Sequence, residues 1–182
     1  MKKLFLVLVA GLMALAGNAQ HSYLSAPGVA VFYPANYDAS AHAPSPIFEQ
    51  ELYPIGEVPA DWKIRPVYSQ TAKEQVVTLH VGEDVDLYGG GEVWGSLRRN
   101  GKTIEFWNMD NPYYSVDNGT HLYQSHPWIM GLRPDGSAFG IIADNTWRGK
   151  MTSDKDVVFT SMGPAFRVVV IEKESPKALM QA

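Results

Sequence analysis

Cysteine is absent from the 182 residues, so no disulfide braces the fold and no thiolate can hold a metal or attack a substrate. Basic charge is sparse: 15 Lys and Arg face 19 Asp and Glu, a formal charge of −4, and no basic run is longer than Arg98-Arg99. That leaves no footprint for gripping a phosphate backbone and excludes nucleic acid as a partner. The chain is also too short for a (β/α)8 barrel of about 250 residues, so chemistry that needs such a barrel must lie elsewhere. The longest apolar stretch, Leu4 to Ala16, is thirteen residues. A bilayer span needs roughly 20, so no membrane anchor is expected.

What is present begins with an export signal. Lys2-Lys3 form a basic start, Leu4 to Ala16 the apolar stretch, and Gly17-Asn18-Ala19 a small-residue cleavage site, which predicts cleavage after Ala19 and a periplasmic or secreted product. The mature chain from Gln20 loses two lysines and keeps 13 basic against 19 acidic residues, a formal charge of −6. Without disulfides its core must suffice by itself, which favours a sandwich over a stapled mini-fold.

Residues 20–60 are rich in Pro and Ala, and only Val29 to Tyr33 reads as a strand there; Ala35 to Ser45 reads as an exposed loop. Residues 61–182 read as the sandwich domain. Short β-rich runs recur at Ile64–Ser69, Gln75–Val81, Thr103–Trp107, Trp128–Arg133, Ala138–Ala143, Val157–Ser161 and Phe166–Ile171. Pro134-Asp135-Gly136-Ser137 supplies hairpin chemistry between two of them, since Pro presets φ and Gly accepts positive φ. The fold class is therefore all-β, an antiparallel β-sandwich. A single helix start closes the chain: Ser175 as N-cap, Pro176 at the first helical position, then good helix formers. Only seven residues follow the cap. So short a helix is marginal alone, which points either to an element that continues past Ala182 or to one docked terminal turn.

The densest motifs lie between Leu87 and Trp128. Tyr88-Gly89-Gly90-Gly91-Glu92-Val93-Trp94-Gly95 invites a phosphate-cradle reading, but the dinucleotide pattern needs glycine where Trp94 stands, and a strand, not a helix, follows Thr103. No nucleotide or other cofactor is implied. The glycines instead suit a sharp bend or a close approach to another backbone or a ligand. Glu92 is then held in a defined place, as a ligand contact or as partner to an arginine such as Arg98.

Phe106-Trp107-Asn108-Met109-Asp110-Asn111-Pro112-Tyr113 leads from a strand into a long loop that carries Asp117, Asn118 and His121. Rings beside Asn and Asp are what sugar recognition requires: apolar faces for C–H surfaces, amide and carboxylate groups for hydroxyls. Glu92, Asn108, Asp110 and Tyr113 are the candidate substrate contacts, and Trp107, inside its strand, is assigned to packing. His80, His121 and His126 match no metal-ligand spacing. Asn118-Gly119-Thr120 is a glycosylation sequon and marks exposed loop.

Taken in order, Tyr88-Gly89-Gly90-Gly91-Glu92, Arg99-Asn100-Gly101-Lys102, Trp107-Asn108-Met109-Asp110, Leu122-Tyr123-Gln124-Ser125-His126-Pro127-Trp128, Phe139-Gly140-Ile141, Asp144-Asn145-Thr146-Trp147-Arg148 and Ser175-Pro176-Lys177 resemble the N-terminal domain of glycoside hydrolase family 31, the α-glucosidase and α-xylosidase family. The resemblance covers roughly residues 62–182. It implies a galactose-mutarotase-like sandwich followed in the parent enzyme by a (β/α)8 barrel that carries both catalytic aspartates for retaining hydrolysis of α-glycosides. By position it implies that Asp110 reaches over the barrel mouth. Neither catalytic aspartate maps onto this chain, so no catalytic residue is assigned and the isolated chain is expected to be inactive. Two other functions fit the composition. One is a free-standing carbohydrate-binding sandwich. The other is a mutarotase-like or hydrolytic enzyme using a His/Glu pair or Glu92 with Asp110, which requires acid and base within about 3 Å of the atoms they serve.

Overall fold

The computed structural model describes residues 17–18, 21–41, 52–113, 119 and 122–182. Most of the stretch expected to be an export signal, Tyr114, Asp117, Asn118, Thr120 and His121 lie outside the described residues.

Among the described residues twelve strands form two six-stranded sheets, and every pairing is antiparallel. The first sheet holds β1 (Gly17–Asn18), β4 (Pro66–Gln70), β5 (Gln75–His80), β11 (Asp156–Ser161), β10 (Gly149–Ser153) and β7 (Lys102–Phe106), in that spatial order. The second runs β2 (His21–Ala26), β3 (Val29–Tyr33), β12 (Val168–Lys173), β9 (Ala138–Ala143), β8 (Ser125–Leu132) and β6 (Asp86–Gly91). The β-sandwich expected from the strand-rich runs is the observed architecture.

The two sheets differ in how they spend their side chains. The first alternates: along β10 Met151 and Ser153 are buried while Lys150 and Thr152 face water, the pattern of a sheet with one solvated side. The second sheet is apolar on both faces. In β12 Val168 and Val170 enter the inter-sheet core with Phe32, Phe139, Ile141, Phe159 and Phe166. Val169 and Ile171 face the other way, into an outer cluster with Tyr23, Val29, Val31, Ala138 and Leu179. Such unbroken apolar strands are those of a sheet covered on both sides.

Among the described residues the outer cover is partial. A single helical turn, α1 (Pro176–Leu179), lies on it: the Ser175 hydroxyl accepts a hydrogen bond from the Ala178 amide at 3.2 Å, and Leu179 is buried. Leu52 packs against the same cluster, and its carbonyl accepts from the Tyr23 hydroxyl at 2.8 Å. The β8–β9 hairpin turns at the expected tetrapeptide, with Gly136 at φ 85° and the Arg133 amide donating to the Ser137 carbonyl at 2.9 Å.

Candidate functional site

At one end of the sandwich three loops converge. The Glu92 amide donates to the Gln124 carbonyl at 2.9 Å, the Met109 amide to the Leu122 carbonyl at 2.8 Å, and the Trp94 amide to the Gly119 carbonyl at 3.1 Å. Segment 122–124 therefore sits between the strand end that carries Glu92 and the loop that carries Asn108, Asp110 and Tyr113. All four candidate side chains are exposed. Tyr113 is turned outward by an Asn turn: its amide donates to Asn111 Oδ1 at 3.2 Å, and Asn111 itself is buried.

The glycine run explains how Glu92 gets there. Gly89, Gly90 and Gly91 all have positive φ, and the β6–β8 register shifts between Gly89 and Gly91, a bulge in an edge strand. A side chain on Gly90 would collide with Ile104 in the core. The close approach is to protein, not to a ligand. Arg99 clamps this bend from beneath: 5% exposed, it donates from Nε to the Gly89 carbonyl at 3.0 Å and from Nη1 to the Ser96 carbonyl at 2.6 Å. Burial pulls its guanidinium pKa below the ordinary arginine value. Arg98, considered as a partner for Glu92, instead holds Asp86 at 2.7 Å.

Around the corner from these loops lies an open groove of about 870 Å³, lined by the end of β7, the start of β8, residues 142–148 and α1. Of the candidate contacts only Asn108 lines it; Glu92, Asp110 and Tyr113 do not. Its apolar surface comes from Trp107, Pro127, Trp128, Ile142, Trp147 and Met180. The packing role expected for Trp107 is corrected here, since it is half exposed on the groove wall. The reason is strand alternation: Ile104 and Phe106 of β7 point into the core, β7 ends at Phe106, and the next side chain faces out. The Arg148 guanidinium lies 5.2 Å from the Trp107 ring centre. Trp147, half exposed and stacked over Gly163, was not singled out from the sequence as a contact.

Among the described residues the histidines form no acid–base pair in this concavity. His80 pairs with Asp156 at 2.9 Å on an exposed strand face. His126 lines the groove, but the one carboxylate lining it, Asp144, is held by Arg167 Nε at 2.7 Å, and no hydrogen bond ties His126 to an acid among the described residues.

The sequence model of the glycosyl hydrolase 31 N-terminal galactose mutarotase-like domain matches residues 48–151, more than half of the chain. The chain belongs to that family. Alpha-glucosidase 2 of Bacillus thermoamyloliquefaciens is 33% identical to this family 31 domain over 117 residues, 61% of this chain and 14% of that protein. Among solved structures, a family 31 alpha-glucosidase from Bacteroides thetaiotaomicron is 52% identical and superposes with a TM-score of 0.51 over 56% of this chain and 17% of its own. A Flavobacterium johnsoniae family 31 dextranase, solved with isomaltotriose, is 18% identical with a TM-score of 0.67, covering 87% of this chain and 24% of its own, and shares the fold. The family 31 domain thus spans between 14% and 24% of the length of these relatives.

Proposed function

We propose that this chain is the N-terminal sandwich of an exported α-glucosidase-like retaining glycoside hydrolase. It caps a catalytic (β/α)8 barrel, lines that barrel's carbohydrate site with Glu92, Asn108, Asp110 and Tyr113, and is inactive alone. The observation that carries this reading is the combination of a family match over more than half of this chain with coverage of only 14% to 24% of the enzymes it matches. Chemistry supports it as well. Retaining hydrolysis needs two carboxyl groups about 5 to 5.5 Å apart around the anomeric carbon. Among the described residues the groove offers one, Asp144, already paired with Arg167.

The purified chain is expected to release p-nitrophenol from a chromogenic α-glucoside no faster than buffer does. Release well above that background would overturn the reading. Calorimetric titration with malto-oligosaccharides separates the runner-up: heat at micromolar affinity would favour a free-standing carbohydrate-binding module.

The same reading takes residues 1–19 as the export signal and 20–60 as an N-terminal segment whose β2 and β3 complete the second sheet of the 61–182 sandwich. Cleavage after Ala19 removes β1, two residues paired to the outer side of β4, and leaves β4 as the sheet edge. Intact-mass analysis of the protein recovered from the periplasm or medium should show a chain that starts at Gln20. Recovery there with Met1 retained would count against export by cleavage.

A further inference from the structure

We infer that Asn100-Gly101 is a self-modification site held shut by the fold. Where the corner between the two sheets opens, the Gly101 nitrogen displaces ammonia from the Asn100 side chain, and the aspartate or isoaspartate that results cannot close the corner again. This holds whichever function the sandwich serves.

The reactive pair is set by the sequence. Asn before Gly is the pair least obstructed towards ring closure, because glycine has no side chain to shield its nitrogen. That nitrogen, once deprotonated by solvent base, attacks Asn100 Cγ. A C–N bond forms, the Cγ–Nδ2 bond breaks, and Nδ2 takes up a proton and leaves as ammonia. Water then opens the succinimide. Breaking the new bond gives aspartate, whereas breaking the original peptide bond gives isoaspartate, whose main chain runs through Cβ and is one atom longer. The balance is water in and ammonia out, with nothing oxidised or reduced.

The fold blocks this at both reacting atoms. Asn100 stands in the segment that crosses from β6, an edge of the second sheet, to β7, an edge of the first. Its carboxamide continues the pairing along β6 as a peptide group would. The Arg99 amide donates to the Leu87 carbonyl at 2.7 Å; next, Asn100 Oδ1 accepts from the Leu87 amide at 3.0 Å and from Arg98 Nε at 3.0 Å, while Nδ2 donates to the Val85 carbonyl at 2.7 Å. These partners fix which end is oxygen and which is nitrogen. The Gly101 amide is drawn the other way, to the Ser153 carbonyl of β10 at 2.6 Å, and Ser153 Oγ donates to the Arg99 carbonyl at 2.5 Å. The carbon under attack is tied to one sheet and the attacking nitrogen to the other. Ring closure therefore waits on a local opening that breaks both sets of bonds.

The product no longer fits. A carboxylate has no donor, so one of its oxygens would face the Val85 carbonyl, and leaving such an acceptor without a partner is costly. The new negative charge would also share Arg98 with Asp86, which Arg98 already holds at 2.7 Å. In isoaspartate the longer main chain carries Gly101 out of reach of Ser153. From the same corner the Arg99 guanidinium holds the Gly89 carbonyl, so opening it loosens the bend that carries Glu92.

The test follows the full chain at mildly alkaline pH, folded and in unfolding urea, by peptide mapping for the one-dalton gain at Asn100. In urea Asn100 should convert at the rate of Asn118, the other Asn that precedes Gly in this sequence, and in the folded chain at least tenfold more slowly than in urea. No conversion in urea, or equal rates folded and unfolded, overturns the inference. Refolding after partial conversion gives a second readout. Converted chains should be depleted at least threefold in the folded fraction, and in Asn100→Asp the Leu87 and Gly101 amides should exchange at least tenfold faster than in wild type. If that variant does not fold, the depletion decides alone. Converted chains that refold in proportion, with those amides as protected as before, overturn the inference.

Discussion

Replacing Arg167 with Met is expected to cost about 3 to 5 kcal/mol of stability, the range for breaking a buried ion pair from one side. The guanidinium holds Asp144 at 2.7 Å with side-chain exposures of only 16% and 9%, and donates from Nη1 to the Tyr33 hydroxyl at 3.1 Å. Burial opposes its charge, but the Tyr33 and Asp144 hydrogen bonds and the Asp144 carboxylate outweigh burial and hold its pKa above the ordinary arginine value. Met preserves the bulk and removes every donor, so Asp144, its side chain only 9% exposed, is left without a counter-charge. Tyr33 also loses a partner in a ring cluster where its hydroxyl lies 3.2 Å from that of Tyr23. The check is urea unfolding of the single variant against Arg167→Met with Asp144→Leu. The double variant, which removes both charges, should recover most of the loss. A single variant within 1 kcal/mol of wild type would show that the pair is solvated in solution.

Gly91→Ala is the second large effect, at about 2 to 5 kcal/mol. Gly91 has φ 89°, where an L side chain costs roughly 1 to 2 kcal/mol. The added methyl would press on the Gln124 carbonyl oxygen and lie 2.7 Å from the His126 amide nitrogen. Both obstacles are backbone, so relief requires β6 and β8 to part, and overpacking of this kind costs about 1 to 3 kcal/mol more. The same movement lengthens the hydrogen bond from the Glu92 amide to Gln124 and displaces Glu92 from the loop cluster. Gly95→Ala is the control, since φ is 99° there too but nothing lies within 4 Å of the added carbon. It should show only the conformational part. Equal melting temperatures for the two variants would refute the close-approach argument.

Some elements of this fold were legible because their cause is local. Val29–Tyr33 and Ala138–Ala143 are apolar runs bounded by turn residues, and both match the observed strands residue for residue. The Pro134–Ser137 hairpin and the Ser175 cap follow from φ preferences and one hydroxyl acceptor, which need no distant partner. Four strands were illegible for equally physical reasons, and the two-residue β1, Gly17–Asn18, is too short to carry a pattern and exists by pairing with β4. In β6, Asp86–Gly91, three consecutive glycines have no strand propensity, and the strand exists because β8 accepts its bulge. In β10, Gly149–Ser153, two of the three inward residues are Gly and Ser, so the alternation carries little hydrophobic signal. His21–Ala26 sits in Pro- and Ala-rich surroundings and becomes β2 by pairing with β3.

The site divides the same way. Asn108, Asp110 and Tyr113 were found together because they share one loop. That Glu92 joins them across Leu122–Gln124, while Asn108 turns into a different concavity, depends on hydrogen bonds between segments up to about thirty residues apart. Trp107 follows the last residue of β7, and the alternation from inward Ile104 and Phe106 points it outward, so its ring is on the groove wall and not in the core.

By itself the sequence determined the fold class and the family, the first through strand-like runs and turn residues and the second through an ordered set of motifs. Only the tertiary structure decided which apolar residues stay uncovered. Side-chain type sets the tendency to leave water, but the sheet order and the single turn of α1 determine where the outer face of the second sheet runs out of cover.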